Sequence, residues 1–367
     1  MCAASLAGGG AERALLDTGT LLSSQGHRVT VLTFGDSKSD AYVVPAGLSR
    51  VALGLPSLSS NRLEGLANNI RRILKIRAYV RRARPDIIIS YITRANVLCL
   101  MALAGTRLPI IATEHNVPAL RDAPMHRLWS LLRRVLYLRA AQVVLVSKGL
   151  VEHYRWVRPD RLSVIYNFVA DEQHTAETSF DFLDPRSEYI VGMGRLEPGK
   201  GFDFLIKAFK LIEADCPGWK LLILGEGSQR VKLRDLVESL GLKDRVAMPG
   251  RVAHPRSVLR RCGIFALASE REGFPLVLIE AMSVGLPVVS FDCDFGPREI
   301  ITDGVSGLLV PPGDILGFSK CIVRLIVDSA FRSRLALGGL ETVRRFQPDA
   351  ILPQWEGLLG RVRTTAR

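Results

Sequence analysis

The feature that most restricts this chain is its alternation. Short β-branched apolar runs trade places with longer segments whose apolar residues recur every three to four positions, from one end to the other. In the first half this predicts strands at 28–34, 86–92, 109–113, 142–146 and 162–166, and helices at 12–24, 62–84, 95–104, 124–140 and 149–157. The second half predicts strands at 189–194, 220–224, 245–248, 264–268 and 287–291, and helices at 202–214, 228–240, 255–261, 275–284 and 314–328. Strand–helix alternation specifies parallel sheets with helices on both faces. Residues 169–188 are polar and aperiodic and read as a linker. The expected fold class is therefore α/β: two doubly wound parallel-sheet (Rossmann-like) domains facing a cleft. The 367 residues suit two domains, with expected spans 1–170 and 186–345 and a final helix, 346–367, packing back toward the first. In open sheets of this kind ligands sit beyond the carboxyl ends of the strands.

Three motifs stand at such places. Gly8-Gly9-Gly10-Ala11-Glu12-Arg13 precedes a helix, and its glycines let backbone approach a ligand at a helix N-terminus. Gly194-Arg195-Leu196-Glu197-Pro198-Gly199-Lys200-Gly201 follows an apolar strand and brings a guanidinium and an ammonium to one loop, a combination suited to a diphosphate. It is not a Walker A loop, because Gly201 stands where Ser or Thr is needed. The third motif runs from Glu270 through Glu272-Gly273-Phe274-Pro275-Leu276-Val277 to Glu280. Pro275 suits a first helical turn and Gly285 a helix stop. The amides of Leu276 and Val277 would favour an anion. Carboxylates repel phosphate, so Glu272 and Glu280 are matched to hydroxyl groups instead.

The net charge of +13 is unevenly spread: residues 1–175 carry +11 and residues 176–367 only +2. A one-sided positive field points to a polyanionic surface, either nucleic acid or an anionic membrane. Aromatics are 7% and no base-reading module is evident, which argues against nucleic acid. The helix at 62–84 gathers Arg62, Arg71, Arg72, Lys75, Arg77, Arg81, Arg82 and Arg84 against Glu64 alone, and its Leu63, Leu66, Ile70, Ile73, Leu74 and Ile76 are expected to pack inward while the bases project. A second basic helix at 127–139 carries Trp129 and Tyr137, residues suited to a headgroup interface. No signal peptide or spanning segment is read, so the expected location is cytoplasmic, peripheral on the inner face of the cell membrane. The six cysteines form no C-x-x-C pair and read as buried thiols in a reducing compartment.

In their order these motifs resemble the retaining glycosyltransferases of GT-B architecture, specifically family 4 (group 1). The E-x7-E motif matches as Glu272 and Glu280, and the phosphate loop as Gly194 to Gly201. The segments Gly296-Pro297-Arg298-Glu299-Ile300-Ile301 and Asp303-Gly304-Val305-Ser306-Gly307-Leu308-Leu309-Val310 look like the branch that builds lipid-linked or capsular saccharides. The resemblance implies a nucleotide sugar, UDP-linked by preference, held by the second domain, and a saccharide or lipid-linked acceptor held by the first. It assigns the diphosphate to Arg195 and Lys200, the ribose to Glu280, the transferred sugar to Glu272, and the phosphate and sugar to the amides around Phe274, Leu276 and Val277. Arg251 and Val252 would lie beside the base, Gly225-Glu226-Gly227 would shape that pocket, and Gly9 and Gly10 would approach the diphosphate. His115, at a predicted strand end, would contact the transferred sugar and join Glu272 as a catalytic residue. No cofactor or metal is expected, and Asp292-Cys293-Asp294 is read as a coincidental D-x-D. Same-face transfer, assisted by the leaving phosphate, is the implied mechanism. A sugar-nucleotide epimerase of the same fold, or a basic nucleic-acid- or membrane-binding protein without activity, remains the alternative. The family usually opens with a full apolar strand before the glycines. Only Met1 to Leu6 stand there, so an incomplete first strand and an open slot in the first sheet are expected.

Overall fold

The computed structural model describes residues 1–55, 61–115, 124–170 and 180–366. Its contacts divide the chain into two compact units, Met1–Phe168 with Pro348–Arg367, and Val169–Gln347.

The first unit holds strands β1 (Cys2–Ala3), β2 (Val29–Thr33), β3 (Leu48–Ala52), β4 (Ile88–Tyr91), β5 (Ile110–Glu114), β6 (Gln142–Leu145) and β7 (Leu162–Val164). They form one parallel sheet in the order β3-β2-β1-β4-β5-β6-β7. Its helices are α1 (Gly10–Ser24), α2 (Arg62–Ala83), α3 (Ile92–Ala102) and α4 (Pro124–Leu136). β4, β5 and β6 are buried along their whole length, as strands covered on both faces must be. Only two residues long, β1 still pairs with both neighbours, Cys2 opposite Leu32 and Ser90. Met1, Cys2, Val29, Tyr79, Ile88 and Leu359 line a cavity of about 610 Å³ next to it.

The second unit holds β8 (Glu188–Met193), β9 (Trp219–Leu224), β10 (Val246–Gly250), β11 (Ile264–Leu267), β12 (Val288–Phe291) and β13 (Leu308–Val310), parallel in the order β10-β9-β8-β11-β12-β13. Its helices are α5 (Phe202–Lys210), α6 (Arg230–Ser239), α7 (Pro255–Leu259), α8 (Leu276–Ser283), α9 (Pro297–Ile300), α10 (Ile315–Val327) and α11 (Ser329–Val343). Phe291 and Phe318 meet edge to face at 4.8 Å in its core. Helix α12 (Pro348–Ala366) belongs to the first unit, where His27 Nε2 lies 3.0 Å from Glu356 Oε1.

Several expectations need correction. The segment from Gly149 to Tyr154 is a 3₁₀ helix, not an α-helix. Edge strands β3 and β13 and helices α9 and α11 are additions, although Asp328, which accepts from the Phe331 amide at 2.8 Å, is a legible N-cap for α11. The linker expected at 169–188 is partly structured: Val169 is buried and donates to the Phe346 carbonyl at 3.2 Å, while 171–179 lie outside the described residues.

On α2 the expected orientation holds for Ile76, which is buried, but fails for four of the other apolar residues. Leu63, Leu66, Ile70 and Leu74 are exposed, whereas Asn68, Arg72, Ile76 and Val80 form the inner stripe. Arg72 is 1% exposed and donates to Asn69 Oδ1 at 2.6 Å, so it does not project. The segment from α4 onward repeats the pattern, with Leu128, Leu131, Val135 and Leu138 outward and Arg133 buried. No helix among the described residues is long and apolar enough to cross a membrane.

Candidate functional site

In the second sheet the strand order reverses between β8 and β11, and the loops leaving those two strands meet at this switch point. The Glu270 amide donates to the Gly199 carbonyl at 3.0 Å, and Lys200 Nζ reaches Glu272 Oε1 at 2.7 Å. Glu272 has 9% of its side chain exposed and Lys200 28%, so this contact is largely sheltered from water. The approach is close enough to demand glycine. Gly201 has φ +65°, and a Cβ there would fall 1.7 Å from the Ala268 carbonyl oxygen.

The loop after β9 packs on the same place backbone to backbone. A Cβ on Gly225 would lie 1.8 Å from the Gly194 oxygen, and one on Gly227 would lie 2.4 Å from the Leu196 oxygen. Leu196 N–H donates to the Glu226 carbonyl at 2.9 Å, and Gly225 N–H to that of Gly250 at 2.8 Å. Three strand-end loops are thus tied together without side-chain bulk between them. The Ser228 hydroxyl and amide donate to Glu197, which lowers its carboxyl pKa and fixes the loop's middle. Arg195 and Arg251 are exposed on these loops, and Val252 is half-buried.

Helix α8 follows from β11. Pro275 caps it from an extended conformation, one position earlier than the first-turn placement expected from sequence. Leu278 N–H makes the early bond to the Pro275 carbonyl at 3.0 Å, so the amides of Leu276 and Val277 precede the helix's own acceptors. Phe274 is 6% exposed and meets Phe346 edge to face at 5.4 Å, so its ring serves packing and only its backbone can face a ligand. Glu280 is half-buried within α8. Gly285, at φ +76°, ends the helix as expected, with Leu286 N–H bonded to the Ala281 carbonyl at 3.1 Å.

Sequence reasoning gave no site role to the β12 loop. Gly296, at φ +89°, packs so closely that a Cβ would sit 2.5 Å from Pro275 Cδ and 3.3 Å from the Gly273 oxygen. Its Gly-Pro pair was the available signal. In the D-x-D segment, Asp292 accepts both arms of Arg298, at 2.9 and 2.8 Å. Between the two acids, burial pushes the Cys293 thiol up to about 12.

The first unit carries its own set at the equivalent switch point, between β1 and β4. Gly9 caps α1 in an extended conformation, its carbonyl accepting from Arg13 N–H at 3.0 Å and Tyr42 hydroxyl at 3.3 Å, and Gly10 is the first helical residue. Ile92, the first residue of α3 and directly after β4, holds φ +70°. A β-branched residue there is strained, and such strain concentrates at functional sites. His115, after β5, stacks on Tyr91 at 5.1 Å, and its Nε2 shares a 3.2 Å hydrogen bond with Thr113 Oγ1. Nδ1 is buried with no hydrogen-bond partner among the described residues, and burial lowers the ring pKa to about 3. The imidazole is therefore neutral at pH 7. Beside it Glu114 accepts from Thr93, Asn96 and Tyr137, and burial raises its carboxyl pKa.

The family model for glycosyltransferase family 4 matches residues 8–173, and that for glycosyl transferases group 1 matches residues 176–339. A lipopolysaccharide core biosynthesis glycosyltransferase, LpsE of Rhizobium meliloti, is 30% identical over 96% of this chain and 96% of its own length. A Campylobacter jejuni α-1,4-N-acetyl-D-galactosaminyltransferase acting on a diphospho-undecaprenol-linked saccharide is 28% identical over 98% of this chain and 97% of its own. An exopolysaccharide phosphotransferase of Streptomyces coelicolor is 34% identical over 83% of this chain, but the chain spans only 32% of that protein. Among solved structures, Anabaena HepE in complex with UDP-glucose superposes with a TM-score of 0.78 at 22% identity, covering 98% of each chain.

Proposed function

Because this chain belongs to the group 1, family 4 glycosyltransferases, we propose that it moves a sugar from a UDP-linked donor to a saccharide or lipid-linked acceptor with retained configuration. The reaction serves cell-surface polysaccharide, lipopolysaccharide or lipid-linked glycan synthesis, in keeping with the relatives' names. The observation that carries the donor half is the contact between Lys200 and Glu272 across the switch point. A cation and an acceptor at 2.7 Å sit where a diphosphate and the sugar attached to it would be adjacent.

In this reading the donor's diphosphate replaces Glu272 as the partner of Lys200, with Arg195 and the Leu276 and Val277 amides sharing the charge. Glu272, released, accepts from hydroxyls of the transferred sugar, and Glu280 from those of the ribose. Arg251 and Val252 border the base, and Gly9 and Gly10 approach the diphosphate. His115, neutral, offers Nδ1 to a sugar hydroxyl rather than a charge. The leaving phosphate oxygen takes the acceptor's proton as the acceptor attacks the same face. The pairing of Asp292 with Arg298 leaves the donor's charge to Lys200, Arg195 and amides, so the proposal needs no divalent metal.

The test supplies UDP-, GDP- and ADP-sugars with a diphosphate-lipid-linked saccharide, with and without chelator, and reads the product's anomeric configuration by NMR. A UDP-sugar consumed only with acceptor, giving the donor's configuration, chelator or not, is expected. Donor isomerised without acceptor would establish the epimerase instead. An inverted product, or activity restored only by Mn²⁺ or Mg²⁺, would overturn retention or metal independence. The proposal places the enzyme at the inner face of the cell membrane, on an anionic surface suited to the +11 charge of its first half.

A further inference from the structure

The two outward apolar stripes of the first unit have no place in the donor chemistry. On α2 the exposed Leu63, Leu66, Ile70 and Leu74 recur at i, i+3, i+7 and i+11, which keeps them on one line of the helix. Their exposures run from 49% to 81%. Leu128, Leu131 and Val135 of α4 and Leu138 of the 3₁₀ turn that follows it, each 50% to 60% exposed, form the second line. Both α2 and α4 pack on α3, so the stripes belong to one helical layer.

Cations accompany them. At 100° per residue Arg81 prolongs the α2 line, and Arg71, Lys75 and Arg82 run along its flank. Arg134 and Arg139 do the same beside the second stripe, and all six are exposed. The one acid of α2 is Glu64, and none lies between 128 and 139. An apolar line bordered by cations is the pattern of a helix lying in a membrane interface. A second copy of this chain would set the cations against their own kind, whereas anionic headgroups complement them.

We propose that α2 and α4 are a membrane seat: their leucine-rich lines enter the headgroup–acyl boundary of an anionic bilayer while the flanking arginines hold phosphates. This rests on the membrane part of the proposed function and changes its physics, since attachment becomes apolar insertion as well as charge, and Arg72 takes no part.

The test is cosedimentation of the full chain with phosphatidylcholine vesicles, with and without phosphatidylglycerol, at low and high salt. Wild type is expected on the anionic vesicles. The pair Leu66→Asp and Leu131→Asp should lose about tenfold or more of that binding even at low salt. The pair Arg71→Gln and Arg81→Gln should lose it chiefly as salt rises. Unaltered binding of the aspartate pair, or no binding of wild type to either vesicle, overturns the seat. So does a wild-type dimer in sedimentation velocity that the aspartate pair dissolves, with vesicle binding unchanged. Sugar transfer to a water-soluble acceptor, measured on the same aspartate pair, separates the two proposals: it should persist, so loss of vesicle binding with transfer intact supports the seat. Transfer absent already in wild type indicts the proposed function instead.

Discussion

At His115 burial holds the imidazole pKa near 3, well below the value of about 6.5 in an unfolded chain. The sign follows directly. Above pH 6.5 both states are neutral and the ring costs nothing. As pH falls below about 6.5 the unfolded state takes up the proton first, so stability declines, at up to about 1.4 kcal/mol per pH unit. Glu114 works the other way, since its raised carboxyl pKa favours folding as pH drops. The clean comparison is therefore with His115→Phe: the stability difference between wild type and variant should shift against wild type from pH 7 to pH 5 in urea unfolding. A pH-independent difference would contradict a buried neutral ring. That His115 stands at a strand end was legible from sequence. Its burial was not, because the stacking partner Tyr91 lies on a neighbouring strand and only pairing brings the two together.

Elements were legible where apolar runs are long and buried, as in β4, β5 and β11. Edge strand β3, Leu-Ser-Arg-Val-Ala, was not, because an edge needs no continuous apolar run. Helix α2 shows the deeper limit. Its apolar periodicity is real, but a second line with only Ile76 and Val80 as its apolar members competes, and tertiary packing chose that line although it also carries Asn68 and Arg72. Loop geometry fares better, because glycines mark close approaches. Gly201→Ala, with its Cβ aimed at the Ala268 carbonyl, should cost on the order of 2–4 kcal/mol and weaken donor binding. Gly218→Ala is the control: a Cβ there meets nothing within 4 Å, and the change should be within about 0.5 kcal/mol. Equal effects in denaturant titrations of the two variants would remove the close approach from the argument.

For the whole molecule, the end of the chain belongs with its beginning. Ile351, Trp355, Leu358, Leu359 and Val362 of α12 are buried in the first unit. Each such side chain contributes roughly 1.5–3 kcal/mol, and together they rival the 5–15 kcal/mol typical of a whole domain. Truncation after Gln347 should therefore make the first unit protease-sensitive while peptides of the second unit stay protected; equal protection of both units would contradict that dependence. The central claim is that the β8–β11 switch point of the second unit is a nucleotide-sugar site. Calorimetric titration of UDP into wild type and Lys200→Ala tests it most directly. Loss of one charge-assisted contact of about 1.5–3 kcal/mol predicts UDP binding to wild type and a tenfold to hundredfold weaker affinity in the variant. Equal affinities, or no UDP binding to wild type, would contradict the account.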